Sequence, residues 1–554
     1  MSLYEKHRAT IERAIQANRE RVFYAHYPEN PKAYGEEAPA AGLHAFQTSM
    51  NTDFSELHQQ QPIRFEGEEV SPYLQTGLGI RYPIFADKVL VARANTAFAQ
   101  WRKLSIQARA GILMESLEGM KNRFFEIAHA TQHTTGQSFM MSFQASGPHA
   151  ADRALEALAM GYEELTRFPS EAIWDKPMGK FSVTLRKTWK AVPKGISLVI
   201  GCSTFPTWNT VPGMYASLIT GNPVIVKPHP KAVLPIAIVV AELQKVLVAQ
   251  GVDPNVCQLA VDSTKFPLAK EFVNHPDIKL IDYTGNSVFG NWLEAQQILG
   301  KEVFTEKAGV NPVVIDSAEN LKAMADNLAF SLSLYAGQMC TAPQNLFIPA
   351  GGIQTAEGHK TYKEVVEALV TAIKGIAEHP KMGPGVLAAL QNDATADRVK
   401  SIARSGCKVL VDSHAVQNEE FNEARTASPL LLEVEAKDKA TYEKELFGPI
   451  VMIIKTANTE ESLKLAIELT AAHGAISCGV YCTDAASCEA IADSFAEVFV
   501  PVSFNLTGPI YLNQHAAFSD FHVTGGNAAG NASFTDPNYV NRRFVWVGQR
   551  YPVG

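Results

Sequence analysis

The sequence predicts an α/β protein: a doubly wound parallel sheet followed by a second α/β unit. Three observations predict it. First, short, largely apolar runs at 196–200, 224–226 and 278–281 alternate with helix-length stretches such as 234–251, the pattern of a parallel sheet covered on both faces. Second, these runs end in turns, at Gly201, at Lys227–Pro230 and at 283–290, where ligands of such sheets bind. Third, a second pattern of the same kind starts at 313–315 and runs to about residue 500.

Length and composition bound the answer. The chain has 554 residues, roughly three to four units at about 150 residues each. Hydrophobic residues make up 46% and charged residues 19%, which excludes a disordered, collagen-like or disulfide-scaffold chain. Lys and Arg number 49 against 57 Asp and Glu, a net charge of −8. No basic excess exists to neutralise nucleic-acid phosphates. No run of 18 apolar residues suggests a membrane span. The opening Met1-Ser2-Leu3-Tyr4-Glu5-Lys6-His7-Arg8 places charges where a signal peptide needs an apolar core. Seven scattered cysteines without a CxxC fit a reduced, cytoplasmic compartment.

In chain order, residues 4–22 read as a helix and 27–43 as an extended arm spaced by Pro and Gly. Residues 86–166 read as helical, with long runs at 91–101 and 106–128. His129 and His133 fall four apart there, but no HExxH glutamate or third ligand accompanies them. A solvated or capped helix end is expected, and no metal. Residues 180–192 alternate as a half-buried strand. Residues 258–261 are a further strand, and 539–547 a terminal one able to pair outside its own sheet.

Several segments offer chemistry, and each alone has a bland alternative. The turn Tyr283-Thr284-Gly285-Asn286-Ser287-Val288-Phe289-Gly290 opens a helix and could present amides to a phosphate, or be only a tight turn. Lys227 follows a strand, where a cation reaches a ribose or phosphate; an isolated lysine is usually surface. Gly337-Gln338-Met339-Cys340 offers a thiol with room around it, though lone cysteines are more often inert. Glu306 lies 34 residues ahead of Cys340. Glu445-Leu446-Phe447-Gly448-Pro449 joins a carboxylate, an aromatic and a rigid turn.

In order and spacing these segments resemble the aldehyde dehydrogenase superfamily. Pro193-Lys194-Gly195, Gly221-Asn222 with Lys227-Pro228, Thr284-Gly285 with Gly290, Glu306 with Asn311-Pro312, Gly337-Gln338 with Cys340, and Glu445 with Phe447-Gly448-Pro449 match its successive motifs. The resemblance covers about residues 85–505. The arm before it, with Tyr27-Pro28-Glu29-Asn30-Pro31-Lys32-Ala33-Tyr34-Gly35, resembles the phenylacetic acid degradation protein PaaN subgroup.

The resemblance implies an aldehyde dehydrogenase-like α/β fold: an arm (1–84), a Rossmann-type nucleotide-binding domain (85–305), a catalytic domain (306–505) and a C-terminal segment (506–554). The strands at 180–192 and 539–547 would form a small β oligomerisation element, giving a homodimer or homotetramer. It implies NAD(P)-dependent oxidation of an aldehyde or semialdehyde to a carboxylic acid, in phenylacetate-type catabolism, on a substrate that could be a CoA-thioester semialdehyde. Cys340 would be the nucleophile and Glu306 the base that activates water. Lys227 would hold the adenosine ribose and Glu445 the nicotinamide ribose, with Phe447 packed nearby. The turn carrying Thr284, Gly285, Asn286 and Gly290 would take the pyrophosphate. The rival readings are a CoA-acylating dehydrogenase, a non-redox cysteine thioester hydrolase and a non-catalytic relative.

Three departures from the family pattern matter. Thr204 stands where the family has an oxyanion-stabilising Asn, and Asn209 could compensate. Pro230 stands where NAD-specific members carry a glutamate, and with His229 beside it this permits NADP at least as readily as NAD. Residues 517–527 replace the usual Pro-Phe-Gly-Gly pattern, and His515 and His522 there could meet a polar substrate tail.

Overall fold

Strand Ile196–Ile200 is apolar apart from one serine and wholly buried, as a strand covered on both faces must be. In the computed structural model, which describes residues 1–513 and 516–553, it is the centre of a five-stranded parallel sheet. The spatial order is Cys257–Leu259, Val224–Lys227, Ile196–Ile200, Ile278–Gly285, Glu302–Lys307. Along the chain that is third, second, first, fourth, fifth. The winding reverses beside the first strand, so the loops after Ile200 and Gly285 open a crevice between them. Helix Pro206–Ile219 starts on a proline, whose missing N–H costs nothing in a first turn.

The second sheet has seven strands in the order Lys408–Val411, Leu430–Glu435, Ile450–Thr456, Asn345–Pro349, Pro312–Ile315, Cys478–Tyr481, Val502–Phe504. All neighbours are parallel except the first pair. Two apolar clusters cover its faces.

A third, antiparallel sheet joins Phe544–Pro552, Phe181–Pro193 and Glu171–Met178. Its side chains include exposed Ile173, Trp174, Phe181 and Val545. Between the two last sheets in sequence, residues 527–531 run beside strand Glu302–Lys307. Glu306 pairs with Gly530, and the Asn531 side chain accepts the Thr305 amide at 2.8 Å. A Cβ on Gly530 would lie 2.5 Å from the Thr305 carbonyl, so only glycine lets the segment approach.

The structure departs from the sequence reading in four places. The arm contains a helix, Ala38–Ser49. The run 106–128 breaks at Asn122–Arg123 into helices Ile106–Lys121 and Phe124–Thr135. Residues Asn538–Asn541 are helical, and the last strand starts only at Phe544. His133 is not a solvated helix end: it is buried, stacks on Phe46 at 4.9 Å and bonds Ser71 at 2.9 Å. Burial holds its pKa down to about 4. Among the described residues no helix is long and apolar enough to cross a membrane.

Candidate active site

Helix Leu321–Ser333 delivers the chain to Cys340 through an unusual turn. Tyr335, Ala336 and Gly337 take φ of +50°, +48° and +64° in succession. Two of these are L-residues, for which that region costs about 1–2 kcal/mol each. Surrounding bonds hold them there. The Tyr335 hydroxyl donates to the Thr135 carbonyl at 2.6 Å. Gln338 donates to the Ala389 carbonyl and accepts the Gln391 amide, both at 3.0 Å. A Cβ on Gly337 would meet the Gly448 carbonyl at 2.5 Å. Asn311 clamps the far side, donating to the Cys340 carbonyl at 2.7 Å and accepting the Ile476 amide at 2.9 Å.

The Cys340 thiol donates to Glu306 Oε1 at 3.0 Å. Glu306, next to the end of strand Glu302–Lys307, is 2% exposed. Four groups converge on its carboxylate. Oε1 also takes His522 Nε2 at 3.0 Å; Oε2 takes Asn209 Nδ2 at 2.6 Å and Thr284 Oγ1 at 3.4 Å. Burial alone would push Glu306 up, but His522, Cys340 and Asn209 outweigh it and hold the group below the usual carboxylate range. Burial and the Glu306 charge push the Cys340 thiol well above its ordinary value. The resting pair is therefore a neutral thiol beside a carboxylate. Glu306, Cys340 and His522 also present an oxygen, a sulfur and a nitrogen within 4.8 Å of one another, a donor set that suits zinc.

Cys340 lies where two cavities meet. One, of about 520 Å³, runs from the strand ends past Lys227, His229, Gly285, Asn286 and Phe289 to Glu445 and Phe447. The other, of about 510 Å³, leads away past Met141, Trp208, Phe330, Leu334 and Tyr511. Phe205, Asn209 and Cys340 line both.

The first cavity suits a dinucleotide. Gly285 and Gly290 let this turn close on the protein itself: a Cβ would lie 2.4 Å from the Tyr283 hydroxyl and 2.5 Å from the Lys307 stem, respectively. Asn286 caps helix Ser287–Glu294, accepting the Phe289 amide at 3.0 Å. Glu445 faces the cavity, and burial pushes it up to about 7 against the pull of Arg398. The Phe447 carbonyl is fixed by the Arg398 guanidinium.

A family model for the aldehyde dehydrogenase family matches residues 86–530. The chain belongs to the aldehyde dehydrogenase family. An NAD-dependent aldehyde dehydrogenase from Burkholderia multivorans is 44% identical, with a TM-score of 0.96, covering 100% of this chain and 99% of that one. The alpha-ketoglutaric semialdehyde dehydrogenase of Bacillus subtilis (strain 168) is 24% identical over 383 residues, 68% of this chain and 73% of that protein. A glyceraldehyde-3-phosphate dehydrogenase, GapN, from Methanocaldococcus jannaschii, solved with NADP, shares the fold at 17% identity and a TM-score of 0.68, covering 89% and 100%.

The dehydrogenase brings most of the expected residues together, with changes of detail. Lys227 is buried and paired with Asp262 at 2.7 Å, a partner the sequence reading did not find. His229 accepts the Lys231 amide on Nδ1, and burial lowers its pKa to about 4. It therefore offers a neutral donor, not a cation. Thr204 lines the first cavity with its hydroxyl against the Cys202 sulfur. Asn209 enters the site, but its amide serves Glu306. His522 lines the second cavity, as a residue expected to meet a substrate tail would, and in addition bonds Glu306. His515 lies outside the described residues.

Proposed function

We propose that this dehydrogenase oxidises an aldehyde or semialdehyde to a carboxylic acid through a thioester on Cys340. The single observation that carries it is the thiol's place at the junction of the two cavities, hydrogen-bonded to a buried carboxylate. Cys340 Sγ attacks the aldehyde carbon while its proton passes to Glu306 Oε1, giving a thiohemiacetal. A bound nicotinamide dinucleotide supplies the acceptor for the hydride that leaves this carbon. The resulting thioester is open to water: Glu306, having released its proton to solvent, takes one from the attacking water, the C–S bond breaks to free the carboxylic acid, and the departing Cys340 sulfur regains a proton from Glu306. Thr204 is the proposed oxyanion donor. Lys227, His229, Thr284, Gly285, Asn286, Gly290, Glu445 and Phe447 hold the dinucleotide.

The test is reduction of NAD or NADP against a panel of aldehydes, with products identified with and without CoA. Free acid formed without CoA supports the reading; a product formed only as the acyl-CoA replaces it with CoA acylation. Failure to bind either nucleotide would favour a cysteine hydrolase. The second cavity is apolar along Met141, Phe330 and Leu334, which supports an extended or ring-bearing aldehyde such as phenylacetate-type catabolism would supply. The seven thiols, all free, suit a reducing cytoplasm.

NADP is expected to serve at least as well as NAD, because proline stands at position 230 and the Asp262 carboxylate beside Lys227 is already paired with that ammonium. A kcat/KM for NAD tenfold above that for NADP overturns this. Glu445 should also leave a mark on binding. Its raised pKa means the carboxyl is protonated below about pH 7. Ribose hydroxyls donate to the charged form, so affinity should rise with pH. Between about pH 6 and 8 the dinucleotide Kd is expected to tighten about tenfold, and Glu445→Gln to flatten that dependence. The exposed apolar side chains of the three-stranded sheet are proposed to seat a second copy. Light scattering should then give a multiple of 60.4 kDa.

A further inference from the structure

We propose that His522 is a positioning residue of the dehydrogenase: its Nε2–H holds the Glu306 carboxylate in place for the step in which that carboxylate accepts a proton from water. This rests on the roles given above to Cys340 and Glu306.

The geometry fixes which way the hydrogen bond runs. A carboxylate only accepts, so the imidazole nitrogen at 3.0 Å is the donor. It serves the same oxygen, Oε1, that takes the Cys340 thiol. That shared oxygen matters once the thiol has become a thioester. The sulfur then has no proton to give, and Oε1 loses one of its two donors. His522 is what remains on that oxygen. Asn209 and Thr284 hold only Oε2, and a carboxylate pinned by one oxygen can turn about its last bond. Misplacing a base by about 1 Å can cost around 100-fold in rate.

The ring is itself held. It is 3% exposed and meets Trp208 edge-on, with centroids 4.6 Å apart at 81°. Phe534 lies on another side at 5.6 Å. The backbone that carries it is docked on the strand that carries Glu306, through the Glu306–Gly530 bridge and the Asn531–Thr305 bonds. Donor and acceptor are thus mounted on one support, although 216 residues separate them in the chain. The family motifs matched in the sequence do not include this position.

The experiment compares His522→Phe, which keeps an aromatic ring without a donor, and His522→Gln, which keeps an N–H donor, with the wild type. In rapid mixing with an aldehyde that the wild type oxidises, His522→Phe should still release a first equivalent of reduced cofactor per chain. Its later steady rate should fall about 10- to 100-fold. His522→Gln should recover most of that rate. Combining His522→Phe with Glu306→Gln should slow the enzyme no further than Glu306→Gln alone, because the histidine acts through the carboxylate. A merely structural role predicts the opposite: an additive loss, a diminished first equivalent and no recovery by glutamine. That result, or a His522→Phe steady rate within twofold of wild type, overturns the proposal. A wild type that oxidises no aldehyde on the panel overturns the underlying reading instead, and this proposal with it.

Discussion

Cys340→Ala is expected to lower aldehyde oxidation by about 10⁴-fold or more while leaving dinucleotide affinity within about twofold. Removing the atom that forms the covalent intermediate removes the whole route, and losses of that size are usual when one member of a catalytic unit is deleted. A neighbouring thiol exists, Cys202, and is close enough to raise the pKa of Cys340 electrostatically. It cannot stand in. Burial pushes Cys202 up to about 11, and its sulfur is taken up by the Thr204 hydroxyl and nearby amides rather than by a base. Only Cys340 has the Glu306 carboxylate at 3.0 Å to take its proton. Isothermal titration with NAD and NADP, beside steady-state rates, checks both halves of the expectation. Retention of more than about a hundredth of the wild-type rate would remove Cys340 from the mechanism.

The residues of this site differ in how far the sequence could disclose them. Cys340 and Glu306 are legible because each belongs to a local segment with its own turn, and the interval between them is set by two short strands and a helix. The apolar strands are legible for a similar reason: burial on both faces writes itself into consecutive residues. His522 is legible as a candidate residue, but its bond to Glu306 is not. It lies in a loop without periodicity, and nothing nearby in sequence says that the loop returns to a strand 216 residues earlier. Asp262 likewise meets Lys227 only because two parallel strands end side by side. Asn209 lies in the first turn of the helix that starts at Pro206, while Thr204 lies before the helix, and that start decides which of the two side chains reaches Glu306. In the arm, Pro39 and Gly42 suggest extended chain but are both helical. Pro39 occupies the first turn, where it is tolerated, and Gly42 lets the helix press against Phe125, since a Cβ there would lie 2.3 Å from that residue's own Cβ. A glycine needed for close packing and a glycine that ends a helix look alike until the partner is known.

Asp282→Ala is expected to destabilise the unit built on the five-stranded sheet by about 3–5 kcal/mol, read as a lower denaturant midpoint. Asp282 takes both nitrogens of the Arg543 fork, at 2.6 and 2.7 Å, and the Tyr539 hydroxyl at 2.9 Å. Arg543 is fully buried. Burial alone would pull its pKa down; Asp282 and Tyr539 outweigh that and raise it. Removing the aspartate therefore leaves a buried guanidinium without its counter-charge, the costly half of breaking such a pair. Arg543 also donates to Ser217 at 2.7 Å, and its carbonyl accepts Asn222 at 3.1 Å. The loss should thus reach the start of the last strand and, through it, the three-stranded sheet. Replacing both partners together, Asp282→Leu with Arg543→Met, should recover much of the stability, because no buried charge is then left alone. Equal destabilisation of the single and double variants would show that shape at this site, and not the unpaired charge, is what the protein cannot lose.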